Sequence, residues 1–441
     1  MYIPILYLIT FCFLGTVIVK ANKHKAEWLL LLIILSYIKT CIMYLFEATT
    51  VFTVFTVGGT QVHLDDIVLI ILLIYCMVNI LYPFQAGKYF IASLLLLGPI
   101  MISLVRGIMN GTVGSEVFLS DTRKYVLFIL AFFAFFFVMR QEGNTSRLWK
   151  YKYYINTLMN IICVYVLIIW VLDLVFGIHN LPGQQNGLLS DGGSTFRIIN
   201  PPQVLIISFY TLYKIYYDLE EKKVISFRSM LFAGIVVLMQ WRTVVAAFGV
   251  GLIITICLSL KRNGLSRKLL AEIVVLVIAI CVIFLQGSSE TGLIAMITNL
   301  FESFSNVGKD TGTFATRTEV WTMILGSLNG INAFFGRPFG QDLALAWKAS
   351  AHSGYVDYIA KMGYLGLVLL IIFMIFMVIK SIKAKNYMST IILCSMAIYW
   401  YGYGFTVEQG AILGFIVAIQ EVMDRQEVGD EKYVKHNNIY L

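Results

Sequence analysis

Three cationic side chains stand where long apolar runs begin. His352 opens the stretch AHSGYVDYIAKMGYLGLVLLIIFMIFMVIK at 351–380, in which a short polar turn passes into an apolar helix ending in lysine. Arg242 lies in MQWRTVVAAFG, at a break between two apolar runs, and Arg197 lies in GGSTFRIINPPQ just ahead of Pro201 and Pro202. Proline suits the first turn of a helix, and Ser353 is of N-cap type. Each cation is therefore predicted beside a helix N-terminus, whose free amides and partial positive charge favour anions. If the three mouths converge, they form an anion site that also holds an imidazole titrating near neutrality. Arg317 in FATRTEVW, Arg337, Lys348 and Arg106 are further cations able to join it.

Each residue also has a plainer reading. A single interfacial arginine is more often a snorkelling anchor than a ligand, and a lone histidine is more often structural. Arg242 stands apart because ionisable groups within an apolar run are costly and tend to be functional. Asp357 and Lys361, four apart in the acid-before-base order, read as an intrahelical pair neutralising two charges. Gly363 and Gly366, with Gly336 and Gly340 in the preceding loop, read as sites of close packing. Asp65 and Asp66 are a weak metal motif and read better as a polar cap.

The elements that must position these groups are membrane spans. The chain has 441 residues, of which 59% are hydrophobic and 13% charged, with a mean hydropathy of +0.81. Soluble domains carry about 25% charged residues. An all-α polytopic membrane protein of about 12–13 transmembrane helices is expected from runs of about 20 apolar residues. These fall near 2–19, 27–46, 64–83, 89–106, 123–140, 154–177, 201–219, 229–241, 243–260, 269–286, 354–379, 387–403 and 408–422. The whole of 1–441 reads as one membrane domain containing a large outward loop at 287–353, with helical runs near 291–305 and 315–328. Alternate connections and the C-terminal tail hold 22 of the 33 basic residues, so those face the cytoplasm. The net charge of +8 is thereby topological and calls for no nucleic acid. All seven cysteines lie in apolar runs, with no disulfide or metal pattern expected.

The order and spacing of these pieces over roughly 190–375 resemble the O-antigen ligase and polymerase superfamily of bacterial membrane glycosyltransferases. His352-Ser-Gly-Tyr-Val-Asp-Tyr-Ile-Ala-Lys-Met-Gly-Tyr-Leu-Gly366 looks like that family's outer-loop histidine followed by an aromatic and a glycine-marked entry into a span. Arg317-Thr-Glu-Val-Trp321 is similar to its Arg-x-x-x-Trp, and Phe335-Gly-Arg-Pro-Phe-Gly340 to its glycine-rich turn. Thr195-Phe-Arg197 before Asn200 and Pro201 resembles its arginine ahead of an Asn/Pro turn. Trp241 departs from the pattern where a small hydroxyl residue is expected, and Arg337 where a small residue is common.

The resemblance implies cofactor-free, metal-independent transfer of a glycan from undecaprenyl diphosphate to a saccharide acceptor, on the outer face of a bacterial cytoplasmic membrane. Departure of a lipid diphosphate develops negative charge, which arginines and helix N-termini would stabilise. Arg197 and Arg242 take that role, with Arg317 contributing from the loop and Tyr355 aligning sugar or phosphate. His352 would deprotonate the acceptor hydroxyl, and attack opposite the leaving group would invert the anomeric carbon. A repeat-unit polymerase for O-antigen, capsule or exopolysaccharide is favoured over a ligase onto lipid A–core. A chain-length regulator or flippase is an implied neighbour. A lipid-linked-saccharide transporter is the rival of another class; it would line a midplane path with charge rather than gather cations at one mouth.

Overall fold

In a bilayer an apolar run satisfies its own backbone only as a helix, and the described chain is helical nearly throughout. The computed structural model describes residues 53–57, 60–63, 70–77, 87–142, 155–157, 159–168, 170–171, 199–221, 224–239, 241–263, 313–341 and 352–430. Its principal helices are α1 Lys88–Met109, α2 Glu116–Asp121, α3 Leu127–Glu142, α4 Pro201–Glu221, α5 Phe227–Leu238, α6 Arg242–Asn263, α7 Thr313–Gly326, α8 Gly330–Phe335, α9 Gly354–Lys383, α10 Tyr387–Gly402 and α11 Val407–Asp430. Among the described residues Lys88–Met109, Arg242–Arg262 and Gly354–Lys383 are long and apolar enough to cross a membrane. The chain is a polytopic helical membrane protein, as its composition predicts. One element departs from an all-helical chain: an antiparallel hairpin pairs Thr53–Val57 with Thr60–His63, inside a segment expected as a loop. The expected spans 2–19, 27–46 and 269–286, the run 291–305, Arg197, Lys348, Asp65 and Asp66 lie outside the described residues.

Two boundaries differ from expectation in informative ways. The segment 107–122, read as a loop, contains α2, and the π-helical turn Thr122–Val126 runs it directly into α3. Ser115 caps α2, its hydroxyl accepting from the Phe118 amide. The break expected around 240–242 is present, since α5 ends at Leu238 and α6 starts at Arg242.

Packing follows small residues and aromatic rings. α3 and α11 run side by side in the same direction. A Cβ on Gly410 would lie 2.1 Å from the Phe128 carbonyl oxygen, and one on Gly414 the same 2.1 Å from that of Phe132. Phe132 and Phe136 stack along that seam. The lipid-facing sides are aliphatic, with Val368, Ile371, Ile375 and Ile379 exposed at helical spacing on α9. Polar pairs join ends that the charge pattern assigns to one side. Lys88 pairs with Asp424, and Arg262 with Glu220. At the other end lie Lys124 with Asp357 and Lys361 with Asp121.

These last two pairs correct the reading of Asp357 and Lys361 as partners of one another. Lys361 Nζ instead meets Asp121 at 2.6 Å, and Lys124 Nζ meets Asp357 at 2.5 Å. The partners across the helix interface prevail because they bring further hydrogen bonds. Asp121 also accepts from the Gly340 amide, and Lys361 also donates to the Gln341 carbonyl.

α9 is also two helices rather than one simple span. Its backbone breaks at Gly363, with φ 71° and ψ 180°. The glycine-rich turn after α8 crosses there. A Cβ on Gly363 would lie 2.1 Å from the Phe334 carbonyl oxygen, and one on Gly336 (φ 76°) 2.2 Å from the Lys361 carbonyl carbon. The Arg337 amide donates to the Ala360 carbonyl, 2.7 Å away. From α1, Arg106 donates to the Gly336 carbonyl and to Asn332. Arg106 and Arg337, which also donates to Ser327, therefore brace this crossing. α7 packs over the first half of α9, where Val320 and Ile324 meet Val356 and Ala360.

Gly336→Ala or Gly363→Ala adds both left-handed strain and overlap, together roughly 2–6 kcal/mol. Thermal unfolding in detergent should show a large loss of stability for each. Gly98→Ala, with open space around its Cβ position, should unfold like the parent.

Candidate active site

Three helix N-termini gather around the C-terminal end of α10. The first is that of α4, where the amides of Gln203 and Val204 donate to the Asn200 carbonyl. The second is that of α6, one residue after Trp241. The indole of Trp241 donates to the Ile199 carbonyl at 2.8 Å and meets the Tyr403 ring edge-on at 6.3 Å. The bulky residue that departs from the expected hydroxyl thus ties the entry of α4 to the entry of α6. Gly402 admits Thr243 at the same point, since a Cβ there would lie 2.1 Å from the threonine hydroxyl. The third is the N-terminus of α9. Ser353 caps it, its hydroxyl accepting from the Val356 amide, and Gly354 sits against the Tyr403 and Trp400 carbonyls.

A cavity of about 250 Å³ opens among them, lined by Lys124, Pro202, His352, Asp357, Tyr399, Tyr403, Gly404, Phe405 and Thr406. His352 enters it from a left-handed backbone with φ 46°. A non-glycine residue held there stores about 1–3 kcal/mol, a feature that collects at functional sites. Lys124 reaches the cavity from the π-helical turn, an irregularity that re-aims side chains where it interrupts a helix.

Charge is unevenly settled around this mouth. Lys124, Lys361, Arg106 and Arg337 all have protein partners. Arg242 and Arg317 have no ion pair or hydrogen-bonded side-chain partner among the described residues. Arg317 lies close enough for its charge to act on both Arg242 and His352. Partial burial pushes the His352 imidazole below its ordinary value, the charge of Arg317 pushes it the same way, and Asp357 opposes them. The mouth therefore carries two mutually repelling guanidiniums next to an imidazole kept in its neutral, basic form.

The structure brings together His352, Arg317 and Arg242, with the start of α4 beside them; Arg197 lies outside the described residues. Tyr355 is placed differently from its expected substrate role. Its hydroxyl donates to the Ala397 carbonyl at 2.7 Å and its ring meets Trp400 edge-on, so it serves as a strut between α9 and α10. Lys124, Asp357, Tyr399, Tyr403 and Thr406 were not among the expected site residues. The sequence did hold one signal, the adjacent cations Arg123 and Lys124 at the start of an apolar run.

Residues 227–371 match the family model described as O-antigen ligase. That segment runs from α5 into α9 and contains Arg242, Arg317 and His352. The match covers about a third of the chain and supports the likeness of that segment to the O-antigen ligase/polymerase superfamily. No curated protein and no solved structure matches the chain.

The midpoint of His352 titration should lie below about 6.5, the unperturbed value. With the other four histidines replaced by glutamine, the pH dependence of imidazole modification reads it directly. Removing the Arg317 charge (Arg317→Gln) should move the midpoint up. Removing the Asp357 charge (Asp357→Asn) should move it down.

Proposed function

We propose that the chain polymerises undecaprenyl-diphosphate-linked oligosaccharide repeat units on the outer face of the bacterial cytoplasmic membrane, making O-antigen, capsular or exopolysaccharide. The observation that carries this reading is the unneutralised pair Arg242 and Arg317 beside a neutral-leaning His352. Two guanidiniums that repel one another, with no carboxylate partner among the described residues, are poised for an anion with several oxygens, and a diphosphate fits them in forked geometry. Arg197, which precedes α4 in the sequence, is assigned the same role.

The chemistry follows from the charges. The acceptor hydroxyl oxygen forms a bond to the anomeric carbon as the bond from that carbon to phosphate oxygen breaks. The electron pair departs on the diphosphate, where Arg242 and Arg317 stabilise it more strongly than in the ground state. The acceptor proton passes to His352, whose depressed pKa keeps it free to receive that proton near neutral pH. Attack from the face opposite the leaving group inverts the anomeric centre. This division of labour gives a metal ion no part in the step.

The ligase reading, transfer to lipid A–core or another terminal acceptor, is favoured by the description of the matching family. Purified protein given lipid-linked repeat units alone separates the two: a ladder of products supports the polymerase, and product only after adding lipid A–core supports the ligase. A transporter would make no new glycosidic bond in either assay.

His352→Asn preserves a residue type that tolerates the left-handed backbone and should lower the transfer rate about 10²–10⁴-fold, the worth of a general base. Arg242→Ala should lower it by about 10²–10³-fold, as for loss of one charge-stabilising donor. Transfer should persist in excess EDTA. Wild-type rates in both variants, or loss of activity to the chelator, would overturn the assignment.

A further inference from the structure

Two residues that line the cavity beside His352 carry enclosed hydroxyls that nothing in the described protein satisfies. Tyr399 is fully buried, and its Oη has no hydrogen-bond partner; Thr406 Oγ1 is likewise enclosed and without one. Both residues line the cavity, as do the charged pair Lys124 and Asp357 and the ring of Phe405. Enclosed hydroxyls are normally paired, so two on residues lining one cavity point to a missing polar partner. The combination of hydroxyls, a carboxylate, an ammonium and an aromatic face suits a molecule with alternating donors and acceptors and an apolar ring edge. A sugar ring has that character. At about 250 Å³ the space falls below the roughly 300 Å³ from which drug-sized pockets start, which fits a monosaccharide unit rather than a long oligosaccharide.

Position decides which sugar. Arg242 and Arg317, assigned above to the diphosphate, do not line this cavity, whereas His352 does. The hydroxyl that gives up its proton must come within hydrogen-bond reach of the imidazole. We propose that the cavity is the acceptor subsite, in which Tyr399, Thr406, Asp357 and Lys124 hold hydroxyls of the acceptor sugar. This inference rests on the glycosyl-transfer reading given above.

The test uses the full-length protein in nanodiscs with its native lipid-linked glycan as donor. The second substrate is the free oligosaccharide released from that glycan by mild acid; without a diphosphate, it can only accept. The concentration at which it accepts half-maximally, or halves elongation of the labelled lipid-linked glycan, is measured for wild type, Tyr399→Phe and Thr406→Val. Both substitutions keep shape and remove one hydroxyl. For each variant that concentration should rise about tenfold or more, with the half-saturating donor concentration and the unfolding temperature unchanged. A rise for the donor instead assigns the cavity to the donor sugar and overturns the inference. So does an unchanged oligosaccharide dependence, or an oligosaccharide that neither accepts nor competes in the wild type. Failure of the wild type to transfer glycan to any acceptor overturns the glycosyl-transfer reading itself, an outcome distinct from wild-type transfer with unaffected variants.

Discussion

Lys361 and Asp121 meet at 2.6 Å, with the lysine side chain only 5% exposed, and the end of the molecule that carries the candidate site is assembled on that contact. Asp121 ends α2, just ahead of the π-helical turn; Lys361 lies two residues before the break in α9. Both also bind the backbone that leads out of the glycine-rich turn, through Gly340 and Gln341. Taking two charges out of water costs several kcal/mol per ion, and only good geometry with extra hydrogen bonds offsets it. Those extra bonds are what connect three distant parts of the chain. The pair specifies which surfaces meet more than it adds net stability.

Its neighbour, Lys124 with Asp357, sits one turn closer to the cavity and faces a different task. It joins α9 to the π-helical turn that directly follows Asp121, so the buried pair sets its position. Asp357 also opposes the effects of burial and Arg317 on His352. The imidazole is thus tuned by a cation from the large loop and by an anion from its own helix. Closing or opening α7 against the first half of α9 would alter the first influence and leave the second in place.

The membrane-spanning class, the break before Arg242 and the cap at Ser353 were legible in the sequence, whereas the gathering of α4, α6 and α9 at one mouth was posed there only as a condition. The first three depend on short-range patterns: apolar run length, proline placement and cap chemistry. The partners of Asp357 and Lys361 were not legible, because an intrahelical spacing of four satisfies the local rule while the true partners lie more than 200 positions away. Lys124 escaped notice because its orientation depends on a π-helical turn, which has no clear local sequence mark. Tyr355 carried a substrate role by resemblance, but its hydroxyl is spent on a backbone carbonyl of α10. The hairpin at 53–63 has the β-branched and aromatic residues of a strand, and its shortness hid it among the apolar runs.

The break at Gly363 divides α9 into a short segment bearing Ser353 to Met362 and a straight one from 364 to 383. The second piece is about 20 residues, or about 30 Å, long, which equals the hydrocarbon thickness of an ordinary bilayer. The segment next to His352 is held by the turn after α8, where the Arg337 amide donates to the Ala360 carbonyl, and by α7, whereas the rod packs on α1, with Tyr89 against Phe376. The non-helical glycine interrupts the backbone between the two, so tilt of the rod, the usual response to a thicker or thinner membrane, has no continuous helix through which to reach the imidazole.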